Sequence, residues 1–265
     1  MDQEVISEGK CLFCGKTFKN GGINRHLQTH FKKLAPEKGN RLSFLLKIEP
    51  DAKYWAGSGY FLYLWVDGTT KLGTIDDFLR DIWLECCGHL SAFRNPKRKS
   101  VGMWDFLEAE ELLEQGKTKK YESLMEDATG EIPMGRKARD VFYKDLKLEY
   151  EYDFGSSTNL TISVSAEVKR KAEKPIVLLS RNEPLEIYCQ TCGKAPAVQL
   201  CCIEDWESDY LFCSKCAKKH AKTCDDFADY SAMPIVNSPR MGVCGYEGGT
   251  IDLDRDKIGG LKTMK

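Results

Sequence analysis

The sequence predicts an α+β protein, with a central mixed domain built from an antiparallel hairpin and a covering helix, between two small cysteine-rich modules. The hairpin is indicated by residues 146–154 and 160–168, in which apolar and polar side chains alternate on either side of a GSST turn. The covering helix is indicated by apolar residues at helical spacing after Thr74. Closely spaced Cys and His residues near both ends predict the two modules.

Two apolar segments open the central domain. Residues 42–49 and 60–66 are rich in aromatic and branched side chains and are bounded by Pro and Gly, so we expect buried strands. A helix follows from Thr74, with Asp77 three residues on as an approximate capping box. Residues 96–136 contain an acidic candidate helix, but we interpret most of them as an insertion or a long loop.

Composition limits the class of protein. The 265 residues exceed the usual size of one domain, and 42% apolar residues with 11% aromatics exclude a disordered chain. We divide the chain into a module at residues 1–41, an α+β domain at 42–184, and a cysteine-rich module with a tail at 185–265. The net charge is −1, although residues 9–41 carry a local charge of +7.

The sequence also indicates the compartment and its redox chemistry. No apolar run approaches the roughly 20 residues of a membrane helix, and the polar first ten residues lack the apolar core of a signal peptide. We therefore expect a cytoplasmic protein without membrane contact. In a reducing compartment, twelve cysteines predict metal sites rather than disulfides.

The N-terminal module contains a metal-ligand pattern. Zinc accepts thiolate and imidazole ligands in a tetrahedron, and His residues at i and i+4 share one face of a helix. The pattern over residues 9–33 resembles the two-Cys, two-His zinc finger, with one residue fewer than usual between the two pairs. Phe18 and Ile23 are placed to form its small apolar core. The four predicted zinc ligands are Cys11, Cys14, His26 and His30.

The same module carries basic residues that a partner could contact. The start of its helix, where a zinc finger reads bases, contains Gly21 and Gly22, which have no side chains for this purpose. Three interpretations remain open: contact with nucleic-acid phosphates, contact with a protein, and a solvated face of a structural module. The basic residues concerned are Lys16, Lys19, Arg25, Lys32 and Lys33.

The C-terminal module contains two Cys-x2-Cys pairs separated by twenty residues, which predicts a four-thiolate zinc site. Gly193 follows the first pair and permits the tight turn that such a pair needs. Four thiolates leave no open coordination position, so this site should stabilise folding and not catalyse. Its predicted ligands are Cys189, Cys192, Cys213 and Cys216.

A second C-terminal site is an alternative. The pattern partly resembles cross-braced fingers of the MYND type, whose last ligand pair is also His-x3-Cys, although two adjacent cysteines replace the expected Cys-x2-Cys. The other interpretation is that these thiols are free and pack in a small core. The residues concerned are Cys201, Cys202, His220 and Cys224. The sequence thus predicts two zinc ions, with three as the alternative.

Three cysteines fall outside these patterns. Cys86 and Cys87 are adjacent at the end of the predicted helix, and Cys244 lies in the tail. His89 could act as a base toward the pair, but the sequence places no acid with it. We therefore interpret the pair as core and cap residues and not as nucleophiles.

Three strings carry a family resemblance. YEYDFG at 150–155, HLSAF at 89–93 and NSPRMGVCGY at 237–246 resemble motifs of the Ri-plasmid open-reading-frame-three-like family. That family is common on plasmids and mobile elements. The likeness covers about residues 40–180 and the tail. It implies an α+β fold and a plasmid, phage or mobile-element setting.

The sequence differs from that family after the YEYDFG motif. Ser156, Thr158 and Leu160 stand where the family commonly has Asp, Trp and His, which puts in doubt any site built from those residues. Glu151 and Asp153 share one face of the predicted strand and could hold a cation or act in acid–base chemistry. The alternatives are a solvated face and, for Asp153, a hydrogen bond that caps the GSST turn.

We expect a zinc-binding modular adaptor that recognises a protein or nucleic-acid partner; the sequence predicts no oligomeric state. The alternatives are a nucleic-acid-processing enzyme that uses carboxylates of the central domain, and a DNA-binding regulator. An enzyme would bring several titratable groups together in one pocket. An adaptor would show closed metal sites and a basic or apolar surface patch.

Overall fold

The computed structural model describes residues 7–39, 41–55, 59–97, 102–203 and 210–256. It confirms the predicted α+β class. The strands in these ranges are β1 (Glu8–Lys10), β2 (Thr17–Lys19), β3 (Ser43–Pro50), β4 (Leu62–Asp67), β5 (Ser91–Arg94), β6 (Glu131–Ile132), β7 (Lys147–Tyr152), β8 (Thr158–Val168), β9 (Ile176–Arg181), β10 (Gln199–Cys201), β11 (Leu211–Phe212) and β12 (Ala232–Pro234).

Helices occur in all three parts of the chain. Those in the described ranges are α1 (Asn20–Lys32), α2 (Ala52–Trp55), α3 (Leu72–Leu79), α4 (Met103–Glu114), α5 (Thr118–Thr129), α6 (Ala138–Val141), α7 (Ser214–His220) and α8 (Leu253–Asp256), with π-helical turns at Arg80–Leu84 and Phe227–Ser231. None of these helices combines the length and the apolar composition that a membrane span requires.

Seven of the strands form an antiparallel sheet in the order β6-β5-β7-β8-β3-β4-β9. The predicted hairpin is present: β7 and β8 pair Lys147 with Ser163 and Tyr152 with Thr158. β3 pairs with both β4 and β8, so it lies inside the sheet. The two apolar segments of the sequence thus become adjacent interior strands.

Every residue of β4 is buried, which explains why its sequence is a continuous apolar run. Leu62 and Leu64 belong to a core shared with α3 and the following π-helical turn. Tyr63 and Trp65 belong to a second core on the opposite face of the sheet. The sheet is therefore covered on both faces.

The predicted capping box of α3 is wrong. The helix begins at Leu72, two residues before Thr74, and its N-cap residue makes no side-chain hydrogen bond. Backbone carbonyls satisfy the first N–H groups instead: Leu72 N donates to Arg136 O and Gly73 N donates to Met134 O, both at 2.9 Å. The segment before α6 thus caps a helix far from it in sequence.

The segment interpreted as an insertion or loop contains regular structure. Helix α4 packs against α5, and α5 leads into β6, which pairs with β5. Ala109 is the buried residue of α4. Helix α4 lies where the sequence indicated an acidic candidate helix, whereas α5 and β6 fall in the part interpreted as a loop.

The N-terminal module packs on the second face of the sheet. Helix α1 buries Ile23, Leu27 and Phe31, at successive intervals of four residues, in the same core as Trp65. The rings of Phe31 and Trp65 are 5.2 Å apart. Contacts also join β1 to β9. The module and the central domain therefore share a core across the predicted boundary.

The C-terminal module is a three-stranded sheet, in the order β11-β10-β12, with α7 beside it. After β12, residues 235–256 return to the central domain. Ser238 Oγ donates to Trp83 O at 2.6 Å, and Arg181 Nη2 donates to Asp256 Oδ1 at 2.8 Å. This segment, which we call the tail, is thus joined to the central domain.

Candidate metal centres

The N-terminal module brings all four predicted ligand atoms within 4.8 Å of one another. Cys14 Sγ lies 3.2 Å from His26 Nε2, and Cys11 Sγ lies 3.6 Å from His30 Nε2. The two Nε2 atoms are 3.1 Å apart. Metal bonds of about 2.0–2.3 Å in a tetrahedron give ligand separations of roughly 3.3–3.8 Å, so these side chains could hold one ion.

Two local structures create this arrangement. The Cys-x2-Cys turn closes where Gly15 N donates to Cys11 O at 2.7 Å, and Gly15 has a φ of +73°, which favours glycine. Helix α1 then places His26 and His30 one turn apart. Phe18 stacks on His26 with ring centroids 4.0 Å apart. Burial, together with the charges of His30 and nearby lysines, lowers the pKa of His26 and favours its neutral form.

The C-terminal module brings four sulfur atoms together. The Sγ atoms of Cys192 and Cys213 are 3.9 Å apart. Gly193 has a φ of +61° and its N–H donates to Cys189 O at 2.8 Å, which closes the first Cys-x2-Cys turn. The second pair lies at the start of α7. The atoms within 4.8 Å of one another are the sulfurs of Cys189, Cys192, Cys213 and Cys216.

A third group contains only part of the alternative C-terminal set. Cys201, His220 and Cys224 lie together, whereas Cys202 is exposed and outside the group. Strand β10 ends at Cys201, which is buried, and Cys202 follows the strand at the surface. His220 stacks on Phe212 with centroids 4.3 Å apart. Within the described part of the chain, the structure thus brings three of these four residues together.

A fourth group lies where we expected core and cap residues. Cys86, Cys87 and His89 follow the π-helical turn, and Cys244 reaches them from the tail. Cys87 and Cys244 are exposed, so they are not core residues. The sequence did not indicate this group because Cys244 lies 157 residues beyond Cys87. The unused Cys-Cys-x-His pattern was the signal that could have indicated it.

The predicted basic contact residues lie at the surface of the N-terminal module. Lys32 also lines a groove of about 450 Å³ beside β8, together with Lys144, Lys169, Arg170 and Glu167. Four basic side chains against one acid make this groove positively charged. All five predicted residues are exposed, and none makes an ion pair with a described carboxylate: Lys16, Lys19, Arg25, Lys32 and Lys33.

Glu151 and Asp153 do not form a shared acidic site. Glu151 hydrogen bonds to Arg94 and lines a cavity of about 210 Å³ with Asp51. Asp153 is only 5% exposed, and its Oδ2 accepts a hydrogen bond from Arg240 Nη2 at 2.7 Å. Each carboxylate has its own arginine, so the two do not act as a pair. The cavity beside Glu151 is also lined by Lys53 and Glu149, and the enzyme alternative stays a prediction.

Asp153 instead caps the turn of the hairpin, as one of our alternatives expected. Its Oδ1 accepts hydrogen bonds from Gly155 N at 3.0 Å and from Ser156 N at 3.2 Å. Burial raises the pKa of Asp153, but the hydrogen bonds from Arg240 and these two backbone groups outweigh it and hold the pKa at about 2. The carboxylate is therefore ionised throughout the neutral range.

No family model matches the chain, and no curated protein matches it. A protein of unknown function from Methanosarcina mazei Go1 is similar in structure, with 13% sequence identity and a TM-score of 0.34 over 54% of this chain and 68% of that chain. This likeness is too low to support an argument. The resemblance to the Ri-plasmid open-reading-frame-three-like family stays a prediction.

Proposed function

We propose that the protein is a zinc-binding adaptor that binds a basic protein partner through helix α4. Zinc suits the ligand groups because sets of four thiolate and imidazole ligands are typical of structural zinc sites. Such closed sites hold short strands and turns in place without an open position for a substrate. They support a scaffold, and the partner binds elsewhere.

The proposal rests on the exposed apolar side chains of α4. Trp104 is 82% exposed and Met103 is 74% exposed. About half of the surface of three further side chains is exposed: Phe106, Leu107 and Leu113. Full burial of one such side chain in an interface contributes about 1.5–3 kcal/mol. A cluster of this kind on one short helix is typical of a protein-docking surface.

The negative charge of α4 indicates which class of partner it would bind. Helix α4 contains five acidic residues and neither Lys nor Arg. These are Asp105, Glu108, Glu110, Glu111 and Glu114. Acidic side chains beside exposed apolar ones complement a partner that presents apolar side chains together with Lys or Arg. Nucleic acid would be repelled from the same surface.

A binding measurement on the full zinc-loaded chain tests this proposal. The probe is a synthetic amphipathic helical peptide of Leu and Lys, and the readout is its affinity at several salt concentrations. The double change Trp104→Ser and Phe106→Ser should abolish binding. The control Tyr143→Ser removes an aromatic side chain that is 56% exposed elsewhere and should leave binding unchanged. Equal affinities for the two variants would contradict the proposal.

Nucleic-acid binding through the N-terminal module is the second candidate, and its DNA-regulator form is the one we expected as an alternative. The exposed basic residues without a described carboxylate partner favour it. The double change Lys32→Glu and Lys33→Glu should then weaken DNA binding and reduce its salt dependence, by about 1 in slope for each lost phosphate contact. Lys117→Glu, at an exposed site beside α5, is the control. No binding of the unaltered chain at low salt would exclude this candidate.

A further inference from the structure

The group of Cys86, Cys87, His89 and Cys244 joins two distant parts of the chain. We propose that these side chains bind a zinc ion that fastens the tail to the central domain. This ion is additional to the zinc ions that we propose for the N-terminal group and for the four cysteines of the C-terminal module. Its ligands come from the loop after the π-helical turn and from the tail.

The separations match a tetrahedron around one ion. Cys87 Sγ lies 3.8 Å from Cys86 Sγ and 3.7 Å from Cys244 Sγ. His89 Nε2 lies 3.0 Å from Cys87 Sγ and 3.2 Å from Cys244 Sγ. Zinc–sulfur bonds of about 2.3 Å in a tetrahedron place the sulfurs roughly 3.8 Å apart. The sulfur positions therefore agree with a shared central ion.

Two other interpretations of the group do not fit this geometry. A disulfide requires sulfurs about 2.05 Å apart, far closer than any of these pairs. A Cys-His-Asp triad requires the thiol and the carboxylate to contact different ring nitrogens. Here Cys87 Sγ and Asp153 Oδ2, at 3.0 and 3.5 Å, both face Nε2 of His89. The ring therefore cannot carry a proton from one to the other.

Arg80 holds the loop that supplies three of the ligands. Its guanidinium donates to Glu85 Oε2 at 2.8 Å and to His89 O at 2.7 Å. Between them, Gly88 has a φ of +79° and donates its N–H to Glu85 Oε1. One arginine thus binds both ends of the loop. The ligands are positioned in advance, so metal binding loses little conformational entropy.

Arg240 places a positively charged hydrogen-bond donor beside one ligand of this site. Three thiolates outweigh one divalent ion, so the occupied site carries excess negative charge. Arg240 Nη2 lies 3.5 Å from Cys86 Sγ, and the residue is fully buried. Hydrogen bonds from outside the ligand set orient metal ligands and stabilise their charge. Because Arg240 and Cys244 both belong to the tail, the same segment contributes one ligand and a hydrogen bond to another, although Arg240 shares its charge with Asp153.

Thiol labelling of the native, zinc-loaded chain tests the proposal without any substitution. Cys87, Cys244 and Cys202 are all exposed, but Cys202 lies outside every ligand group that the structure describes. With iodoacetamide and peptide mass spectrometry, Cys202 should be fully modified while Cys87 and Cys244 stay unmodified. A zinc chelator should remove that protection. Labelling of all three at one rate in the zinc-loaded protein would overturn the proposal, as would a disulfide between Cys87 and Cys244.

Zinc content of variants gives a second, independent measurement. Cys244→Ser should lose about one zinc ion per chain relative to the unaltered protein, whereas the control Cys202→Ser should lose none. Cys244→His should keep the ion, because His is a zinc ligand and tolerates the left-handed φ of +50° at this position. Unchanged zinc content in Cys244→Ser would overturn the proposal. If Cys244→Ser does not fold, the labelling of the unaltered chain decides.

Discussion

Two buried arginines determine how the tail meets the central domain. Arg240 is fully buried and pairs with Asp153 at the end of the β7–β8 hairpin. Arg181 is fully buried at the end of β9 and pairs with Asp256. A buried guanidinium that loses its carboxylate leaves an uncompensated charge. These two ion pairs therefore favour one position of the tail over others.

Asp153→Asn tests the first of these pairs. Asn keeps an oxygen that can accept the turn hydrogen bonds and tolerates the φ of +65°, so the change mainly removes the charge that faces Arg240. We expect the free energy of unfolding to fall by about 3–5 kcal/mol, measured by denaturant titration at constant zinc. Glu151→Gln is the matched control at a partly exposed ion pair and should cost about 0–1 kcal/mol. Similar losses in both variants would contradict the buried-charge explanation.

Helix α1 has two roles. Its His26 and His30 contribute to the metal group, while Ile23, Leu27 and Phe31 pack on the sheet. The same 13 residues thus connect the metal group to the largest structural unit of the chain. The apolar face of α1 is buried in that contact, so its exposed side, which carries Arg25, Lys32 and Lys33, stays open to a partner.

The substitution Gly9→Ala tests how closely β1 packs against the sheet. A Cβ at this position would lie 2.6 Å from the ring of Phe61 and 2.7 Å from Ser180 Oγ. Gly9→Ala should therefore lower the free energy of unfolding by about 1–3 kcal/mol, because the core on that face must shift. Thermal or denaturant unfolding of the zinc-loaded protein measures the change.

Gly21→Ala is the matched control in the same module. Gly21 lies in α1 with no other atom within 4 Å of an added Cβ, so alanine should stabilise by about 0.4–1 kcal/mol. A fall in the free energy of unfolding for Gly9→Ala and a rise for Gly21→Ala distinguish close packing at β1 from a general intolerance of the module to substitution. Stabilisation by both changes would show that β1 does not pack as described.

Groups that could each hold a metal ion lie in different parts of the described structure. The N-terminal group lies in a module packed on the sheet, the fourth group lies between the central domain and the tail, and the two remaining groups lie in the C-terminal module. The C-terminal module has small apolar clusters of its own. Loss of metal there should consequently have local effects.

Cys192→Ser tests this expectation. The C-terminal module should lose zinc and become sensitive to protease, because its small clusters cannot stabilise it alone. The seven-stranded sheet, with its large core, should stay folded. Limited proteolysis with mass spectrometry, together with zinc analysis, measures both effects, and Cys202→Ser serves as the control. Full zinc content in Cys192→Ser would contradict the assignment of this group.

Features encoded by nearby residues could be predicted. Alternation in β7 and β8 indicated a hairpin because side chains of successive strand residues point to opposite faces. The apolar run of β4 indicated a buried strand for the same local reason. By contrast, α5 was assigned to a long loop, because its described side chains are exposed or half-buried and form no buried apolar face. Helix α4 lies where the sequence indicated an acidic candidate helix.

The sequence by itself indicated the α+β class and the members of the two Cys-x2-Cys groups, because strands, helices and Cys-x2-Cys turns each depend on short spacings along the chain. Only the tertiary structure decided that α1 packs on the sheet, that Asp153 meets Arg240, and that Cys244 reaches Cys87. Those contacts join residues far apart along the chain. They form only when the strands are ordered in the sheet and the tail returns to it, which no local pattern encodes.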